Sequence, residues 1–511
     1  MATNQGSPAS DAGQDASVDT GSEEAAACEA STRLCGDVCT ALNADSANCG
    51  ICGHACGQGQ NCCSGSCSTT CTLLVSSLSA TLGPLSGGTF TTITGAGFGP
   101  GAKVSFGGAR VPAMVVDANT IQVRTAPHLE GKVEVRVAQG ADVAVRANAF
   151  EFASYGFEGP WQKINMTSPR GSYPGVSVIK DGRVLVTGGR TLSNNTSLLN
   201  TADIYDPSTN TTSPTAGNMA AARVFVTQMT LLTGKVLIVG TDNAYVANPN
   251  AELFDPATST FTATAGQPSA GQNRAFATML ADGRVLLTSQ TTAGALVYDP
   301  ALDGFSPVPG APNGAGYEPV LLQDGRVLLV GGSPLEPAYI YDAESGSFAP
   351  AGPSPNADAS TSIYRGAQRT FVMPDGRVIS VGGYGSKVIA LFDPSKPHDG
   401  FVTAPYSLAE SLHYTSITVM GDGTVFVLGG ATTATGDCGG TSSWVLTDMV
   451  ERIDPQAETI GTFDALPDAA MDVGAVTLLD GSVIAGGGEV CGGAPTHPYL
   501  YFLKGKVPSV Y

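Results

Sequence analysis

Apolar and polar residues alternate with a period of two along most of the chain, in short runs that end at glycine, proline or aspartate. Four such runs occupy residues 90–95, 103–108, 120–123 and 132–137. Alternation of this kind places successive side chains on opposite faces of a strand. The segment from residue 74 to residue 152 therefore predicts a small β-sandwich of short strands joined by glycine-rich turns.

A longer pattern occurs seven times in the rest of the chain. Each copy places a turn glycine, in six of the seven copies preceded by aspartate, before a strand rich in valine and leucine. The seven turn glycines are Gly182, Gly234, Gly283, Gly325, Gly376, Gly423 and Gly481. They are 42 to 58 residues apart, which is the length of a four-stranded propeller blade. The pattern predicts a β-propeller of seven blades.

The seventh copy ends after its third strand, at residues 499–502. A strand-like stretch around Trp161 precedes the first copy and belongs to no blade. We expect this stretch to be the outer strand of the seventh blade, because such pairing would join the two ends of the ring and remove an exposed sheet edge.

Both folded segments resemble known families. The glycine-rich turns at 87–89 and 95–102 make residues 73–153 similar to TIG/IPT immunoglobulin-like domains, a resemblance that implies a spacer or contact module. The repeated Asp181-Gly182-Arg183-Val184-Leu185 unit, with third strands such as Ile204-Tyr205-Asp206-Pro207, resembles kelch repeats. The expected fold is all-β: a seven-bladed kelch β-propeller after an immunoglobulin-like β-sandwich and a small disulfide-rich module.

Cysteines are concentrated near the start of the chain. Of the 12 cysteines, ten lie within 44 residues: Cys28, Cys35, Cys39, Cys49, Cys52, Cys56, Cys62, Cys63, Cys67 and Cys71. This density predicts disulfides formed outside the reducing cytosol. Zinc is the alternative for the closely spaced Cys49, Cys52 and Cys56, but His54 is the one histidine nearby. We therefore predict five disulfides, whose pairing the sequence does not determine.

The runs 34–39, 48–53 and 61–67 resemble the Stig1-like modules of secreted proteins, which are frequent in myxobacterial exported proteins, and this resemblance implies export. The remaining cysteines, Cys438 and Cys491, lie in corresponding loops of adjacent blades, and we expect a disulfide between them.

Charge and composition narrow the function further. Aspartate and glutamate number 44 against 25 lysines and arginines, a net charge of −19 that repels nucleic acid. No apolar run reaches the roughly 18 residues of a transmembrane helix. We expect a disordered acidic tether at 1–27, the cysteine-rich module at 28–72, the TIG/IPT-like domain at 73–153 and the propeller at 154–511.

The sequence begins without an export signal, so we expect that a signal or lipoprotein peptide was removed, the latter with a lipid anchor upstream. These features predict an extracellular or outer-cell-surface protein that acts as a monomer, needs no cofactor and binds no metal.

Candidate ligand-binding residues lie on one face of the predicted propeller. Two long insertions, at 190–203 and 431–451, belong to blades one and six, and Trp444 lies in the second. The residues leading into the first strands reach the same face: Arg170, Tyr173, Arg223, Arg274, Tyr317, Arg369, His413, Tyr414 and Asp472. Arginine offers a planar fork of donors and aromatic rings stack on sugars, so we expect a carbohydrate or protein ligand. Each residue could instead satisfy carbonyl groups around the channel.

An enzymatic alternative comes from a second resemblance. The segments 173–177 and 412–416 look like the Cys-Pro-Gly and Tyr-His-Ser segments of copper-radical oxidases of the galactose oxidase type, which also use a seven-bladed kelch propeller. The resemblance implies oxidation of primary alcohols or aldehydes. However, Tyr173 replaces the cysteine, His413 and Tyr414 reverse the order of the copper ligands, and His497 is the one nearby histidine for the second imidazole. Copper prefers several imidazole ligands, so binding is the expected function.

Overall fold

The computed structural model describes residues 33–35, 38–40, 47–58, 60–63, 66–68, 72–171, 173–191, 197–241, 251–268, 274–289, 293–313, 316–331, 336–355, 368–382, 386–433, 444–488 and 497–508. The chain forms two compact units, Met1–Thr70 and Cys71–Tyr511. Apart from the 3-10 turn Pro397–Asp399, the regular structure of the described residues is β-strand, which confirms the all-β prediction. None of these residues forms a helix long and apolar enough to cross a membrane.

The first unit contains two small hairpins held by disulfides. Strand β1 (Arg33–Cys35) pairs with β2 (Val38–Thr40), and β3 (Asn61–Cys63) pairs with β4 (Ser66–Ser68). Three disulfides are described: Cys35–Cys52, Cys49–Cys62 and Cys56–Cys67. They confirm that the module is disulfide-rich, and they replace a hydrophobic core that so short a segment could not build.

The zinc alternative depends on the same sulfur atoms. Those of Cys49, Cys56 and Cys67 lie within 4.8 Å of one another, a spacing that could also suit a metal. Each of them is already bonded to another sulfur, whereas zinc binds thiolates. The remaining predicted disulfide partners stay predictions, and Cys28, Cys71, Cys438 and Cys491 lie outside the described residues.

The second unit begins with a two-sheet sandwich. Its strands are β5 (Leu74–Leu78), β6 (Leu82–Pro84), β7 (Phe90–Ala96), β8 (Lys103–Phe106), β9 (Ala109–Arg110), β10 (Ala113–Asp117), β11 (Thr120–Arg124), β12 (Gly131–Gln139) and β13 (Asp142–Ala153). One sheet has the order β10-β11-β7-β5 and the other β6-β13-β12-β8-β9. The inward positions of the alternating runs form the core, in which Phe106 and Phe150 meet edge to face at 5.2 Å. The sandwich predicted from alternation is confirmed.

Seven four-stranded antiparallel sheets follow in the described part of the chain, and they form the blades. From the first blade to the seventh, each given from its inner to its outer strand, they consist of β15 (Gly175–Val178), β16 (Val184–Thr187), β17 (Ala202–Asp206) and β18 (Thr211–Pro214); β19 (Val224–Thr230), β20 (Val236–Thr241), β21 (Glu252–Asp255) and β22 (Thr260–Ala263); β23 (Ala275–Met279), β24 (Val285–Ser289), β25 (Ala295–Asp299) and β26 (Gly304–Pro307); β27 (Tyr317–Leu321), β28 (Val327–Gly331), β29 (Pro337–Asp342) and β30 (Ser347–Pro353); β31 (Gln368–Val372), β32 (Val378–Gly382), β33 (Ile389–Phe392) and β34 (Phe401–Thr403); β35 (Ser416–Val419), β36 (Val425–Leu428), β39 (Val450–Asp454) and β40 (Thr459–Phe463); and β41 (Gly474–Thr477), β42 (Val483–Gly486), β43 (His497–Lys506) and β14 (Gly156–Arg170).

The seventh blade is built from both ends of the propeller. Strand β14 precedes the first blade in sequence and pairs with β43 as its outer strand, with Lys163 opposite Tyr501. This arrangement confirms the predicted closure. Each pair of neighbouring blades encloses its own hydrophobic cluster, and the cluster between blades seven and one contains residues of β14, β16 and β42. The ring is therefore continuous.

The turn between the first and second strands carries a recurring ion pair. Arg183 donates through Nε and Nη2 to the Asp181 carboxylate, at 3.0 and 2.6 Å. Arg284, Arg326 and Arg377 make the same pair with Asp282, Asp324 and Asp375. The glycine between them has a positive φ, 90° at Gly182, which explains why the turn repeats as Asp-Gly-Arg.

The sandwich packs against these hairpin turns. The residue before the Asp-Gly pair makes the contact in four blades: Lys180 bonds to Gln122, Ala281 accepts from the backbone N–H of Ala113, Gln323 bonds to Arg110 and Pro127, and Gly421 accepts from Leu85 and Tyr155. Glu344 adds ion pairs with Lys103 and Arg110 at 2.6 and 2.7 Å. The sandwich thus lies on the hairpin face of the propeller.

Candidate functional site

The face opposite the sandwich carries the described ends of the segments that join second and third strands, as the sequence predicted. The described ends of both insertions pair with segments leading into first strands: Leu199 bridges to Arg223, and Ala431 bridges to His413. The second insertion also forms a hairpin of its own, β37 (Ala431–Thr433) with β38 (Trp444–Leu446). Both insertions are therefore fixed to the ring where they leave it.

Five blades approach this face through a residue with left-handed backbone. These residues are Tyr173, Phe225, Arg274, Tyr414 and Asp472, with φ between 49° and 58°. Positive φ is uncommon outside glycine and costs roughly 1–3 kcal/mol each, and such residues concentrate at functional sites. In blade four, Gly316 with φ 88° occupies the corresponding place. We call the five non-glycine residues the face centre.

Three members of the face centre form a stack. The rings of Tyr173 and Phe225 have centroids 4.1 Å apart, and the guanidinium carbon of Arg274 lies 3.9 Å from the Phe225 centroid. Arg190 lies beside the two rings, 5.6 Å from each centroid. Phe225 is 8% exposed, whereas Tyr173 and Arg274 are half-buried. The stack orients a guanidinium group by cation–π attraction without using its N–H donors.

The other side of the face centre is acidic and phenolic. Burial, the Asp472 carboxylate and a hydrogen bond to it raise the pKa of Tyr173, so its hydroxyl stays protonated and donates to Asp472. Tyr414 also lies close enough to affect Tyr173, and its backbone carbonyl accepts from the N–H of Asp472 at 2.9 Å. The arrangement offers hydroxyl, carboxylate and guanidinium groups in one place.

A second constellation lies between the inner strands of blades three to five. The guanidinium of Arg369 lies 5.8 Å from the ring centroid of Phe276. Burial raises the pKa of Glu318 to about 7, against opposing effects from Arg369 and from hydrogen bonding to Thr370. Glu318 Oε2 is buried without a hydrogen-bond partner among the described residues. A carboxyl group that titrates near neutral pH therefore lies beside an arginine in this region.

Three of the predicted ligand contacts lie inside the scaffold. Arg170 and Arg223 are fully buried and pair with the buried carboxylates Asp203 and Glu252, at 3.2 and 2.7 Å. Arg170 also donates to the carbonyls of Gly188 and Thr201.

His413 is 5% exposed, burial lowers its pKa, and its backbone bonds twice to Ala431. The side chains of Arg170 and Arg223 and the backbone of His413 thus hold the segments that lead into first strands, so all three residues lie in the scaffold.

The other predicted ligand-binding residues lie in several different places. Tyr173, Arg274, Tyr414 and Asp472 meet in the face centre, Arg369 lies in the second constellation, and Tyr317 is 3% exposed. The backbone of Trp444 belongs to β38, but its side chain lies outside the described residues.

Sequence reasoning missed Phe225, Arg190 and Glu318. When the blades are aligned on their turn glycines, Phe225 has the same position as Tyr173 and Tyr414, which was a signal for Phe225. The signal for Arg190 was its place directly after the Gly188-Gly189 pair.

The donor set can be compared with the needs of copper. Of the histidines whose side chains are described, His413 alone lies on this face; His54 belongs to the first unit, His128 stacks on Phe152 in the sandwich, and His398 lies in the 3-10 turn. The side chain of His497 is outside the described residues. Among the side chains described on this face, that of His413 is the one imidazole and is buried, whereas copper prefers several imidazole ligands.

Comparison with known proteins matches one domain of the chain to a family and finds distant structural neighbours among solved structures. Residues 73–153 match the IPT/TIG domain family, which confirms that resemblance. No curated protein matches the chain. Among solved structures, a catalytically inactive variant of virginiamycin B lyase from Staphylococcus aureus, crystallised with quinupristin, has a TM-score of 0.47 and 11% identity. That match covers 67% of this chain and 98% of the lyase chain.

Proposed function

We propose that this is an exported or cell-surface binding protein whose propeller presents the face centre to a carbohydrate ligand. The observation that carries the proposal is the convergence of Tyr173, Arg274, Tyr414 and Asp472 from four blades, each on left-handed backbone. Sugars are bound by stacking on aromatic rings and by hydrogen bonds to carboxylate and guanidinium groups, and these groups occur together here. The disulfides and the IPT/TIG domain support an extracellular location.

The covered hairpin face supports the same choice. A ligand that used the Asp-Gly turns would compete with the sandwich, which bonds to four of those seven turns. Among the described residues, the IPT/TIG domain makes its hydrogen bonds and ion pairs to the propeller on the hairpin side. A protein ligand stays the alternative partner, and the monomeric state and the kelch assignment stay part of the proposal.

A glycan array with the purified full-length chain tests the proposal. We expect binding that Tyr414→Ala weakens by roughly tenfold or more, if Tyr414 is a central contact. The matched control is Leu302→Ala, because Leu302 is 76% exposed at the turn between the third and fourth strands of blade three, on the hairpin side. Binding that survives Tyr414→Ala, or that Leu302→Ala weakens equally, would remove the face centre from consideration.

The oxidase alternative is separated in the same preparation. After incubation with copper and removal of excess metal, a binding protein retains no stoichiometric copper and releases no peroxide from primary alcohols or aldehydes. Bound copper together with peroxide release would reverse the choice of function class.

A further inference from the structure

Half of the 16 arginines in this chain have a neighbouring carboxylate in the described structure. In the described residues, eight arginines lie within 4.0 Å of an aspartate or glutamate oxygen: Arg110, Arg170, Arg183, Arg223, Arg284, Arg326, Arg377 and Arg452. The excess of acidic residues, 44 against 25, makes such pairing easy to achieve. An arginine of the propeller that stacks on an aromatic ring and has no carboxylate partner among the described residues differs from these eight.

Arg274 is such a residue. Its guanidinium lies on the Phe225 ring, and no carboxylate or hydrogen-bond acceptor of the described chain reaches it. Asp472, the carboxylate of the face centre, accepts a hydrogen bond from the Tyr173 hydroxyl. The Asp472 carboxylate is thus bonded to a tyrosine, and the N–H donors of Arg274 are available to a ligand.

We infer that the ligand of the face centre is an acidic carbohydrate and that Arg274 binds the carboxylate of a uronic acid residue. This inference rests on the proposed function. A guanidinium presents two parallel N–H donors that match the two oxygens of a carboxylate. Stacking on Phe225 holds the fork in place, so less side-chain freedom is lost on binding. Arg190, beside the same rings, adds positive charge on this side of the site.

The surroundings favour a sugar over an acidic peptide. Tyr173 and Tyr414 are half-buried aromatic residues, and aromatic rings suit the apolar face of a pyranose. Asp472, beside them, can accept from sugar hydroxyl groups but would repel a second carboxylate. The net charge of −19 repels acidic peptides and acidic sugars alike, so the tyrosine rings are what favour the sugar.

The experiment uses matched probes that differ at one carbon. Oligomers of galacturonate, glucuronate and mannuronate are each paired with their carboxyl-reduced counterparts, and a poly-glutamate peptide forms a further arm. Binding to the full chain is measured by titration at two salt concentrations. We expect at least one acidic oligomer to bind about tenfold or more tightly than its reduced counterpart, with the preference decreasing at high salt because the charges are screened.

Variants then assign the preference. Arg274→Gln should remove it and Arg274→Lys should restore only part, because lysine keeps the charge without the planar fork. Arg136→Gln, at an exposed position of the sandwich, changes the net charge equally and should change nothing. Melting temperatures show that each variant is folded.

Three outcomes overturn the inference. Equal affinity for acidic and reduced oligomers would contradict the acidic ligand and leave the proposed carbohydrate function in place. Binding of poly-glutamate without any oligomer would replace the sugar by an acidic peptide. Failure of every oligomer and of the neutral sugars on the array would remove the carbohydrate function together with the inference.

Discussion

Arg452 donates to the Asp422 carboxylate at 2.6 Å, although it lies on the third strand of blade six and not in the hairpin turn. In blades one, three, four and five the corresponding aspartate is bound by the arginine that follows its own Asp-Gly turn. Blade six has Thr424 at that position, and Arg452 also donates to the Thr424 hydroxyl. The same ion pair is thus formed from a different strand.

The first prediction concerns this ion pair between Arg452 and Asp422. Arg452→Gln should lower the free energy of unfolding by about 1 kcal/mol, because the pair is partly exposed. Adding Thr424→Arg to that variant recreates Asp-Gly-Arg and should recover most of the loss. Urea denaturation of the single and double variants measures both effects. A double variant no more stable than Arg452→Gln would show that the two arginines are not equivalent.

The second prediction concerns the buried pair of Arg170 and Asp203. Arg170→Met should destabilise the chain by about 3–5 kcal/mol, because it leaves a fully buried carboxylate without its cation. Replacing both residues, Arg170→Met with Asp203→Leu, should cost less than the single change. Arg183→Met is the control, since that arginine is 31% exposed beside Asp181 and should cost about 1 kcal/mol or less. Thermal unfolding of the four proteins distinguishes these cases.

Some arginines that precede a first strand are buried in the blade and one lies at the face centre, and this difference explains why the site could be predicted only in part. Arg170, Arg223 and Arg274 all precede a first strand and were predicted together. Arg170 and Arg223 come two or three residues before the left-handed position, so their side chains enter the blade and meet Asp203 and Glu252. Arg274 occupies the left-handed position itself and lies at the face centre. Backbone conformation separates them, and it depends on how each blade packs.

The fold could be predicted more completely than the site because its sequence unit repeats. Seven copies of one turn and strand indicated the blades, and the missing strand of the seventh copy indicated closure by the segment around Trp161. The contact of the sandwich with the hairpin turns had no such signal. It consists mostly of backbone hydrogen bonds, such as that from Leu85 to Gly421, which any residue type could form.

The third prediction uses the raised pKa of Glu318. Its folded-state pKa is about 7 against an ordinary value of 4.5, so the folded protein holds this proton at a higher pH than the unfolded chain does. The resulting stability is complete below pH 4.5, decreases as the pH rises toward 7 and is lost above it. Glu318→Gln stays neutral, so its stability relative to the wild type should rise between pH 5 and 8, by on the order of 1–3 kcal/mol.

Glu344→Gln is the control for that measurement. Hydrogen bonds from Lys103 and Arg110 lower the pKa of Glu344, so its contribution is present above the ordinary pKa of 4.5 and is lost as the pH falls below it. Between pH 5 and 8 the stability of Glu344→Gln relative to the wild type should be constant. A constant difference for Glu318→Gln as well would place the Glu318 carboxyl near its ordinary pKa.

The last prediction concerns closure of the ring by β14. Deleting residues 1–153 should leave a soluble propeller, because β14 and Tyr155, which packs on Gly421 and Gly481, are retained. Deletion through Lys163 should cause aggregation, since it removes the first half of β14 and exposes the edge of β43. It also removes Trp161, which is 8% exposed in the cluster between blades six and seven and donates from Nε1 to the Asp464 carbonyl at 3.0 Å.

A substitution separates edge exposure from the loss of that side chain. In the full-length chain, Trp161→Ala should cost about 3–5 kcal/mol by opening a cavity while leaving the backbone pairing intact. It should therefore lower the melting temperature without the aggregation expected of the longer deletion, and light scattering during the melt records the difference. If both truncated chains are equally soluble and equally stable, the pairing of β14 with β43 does not protect the seventh blade.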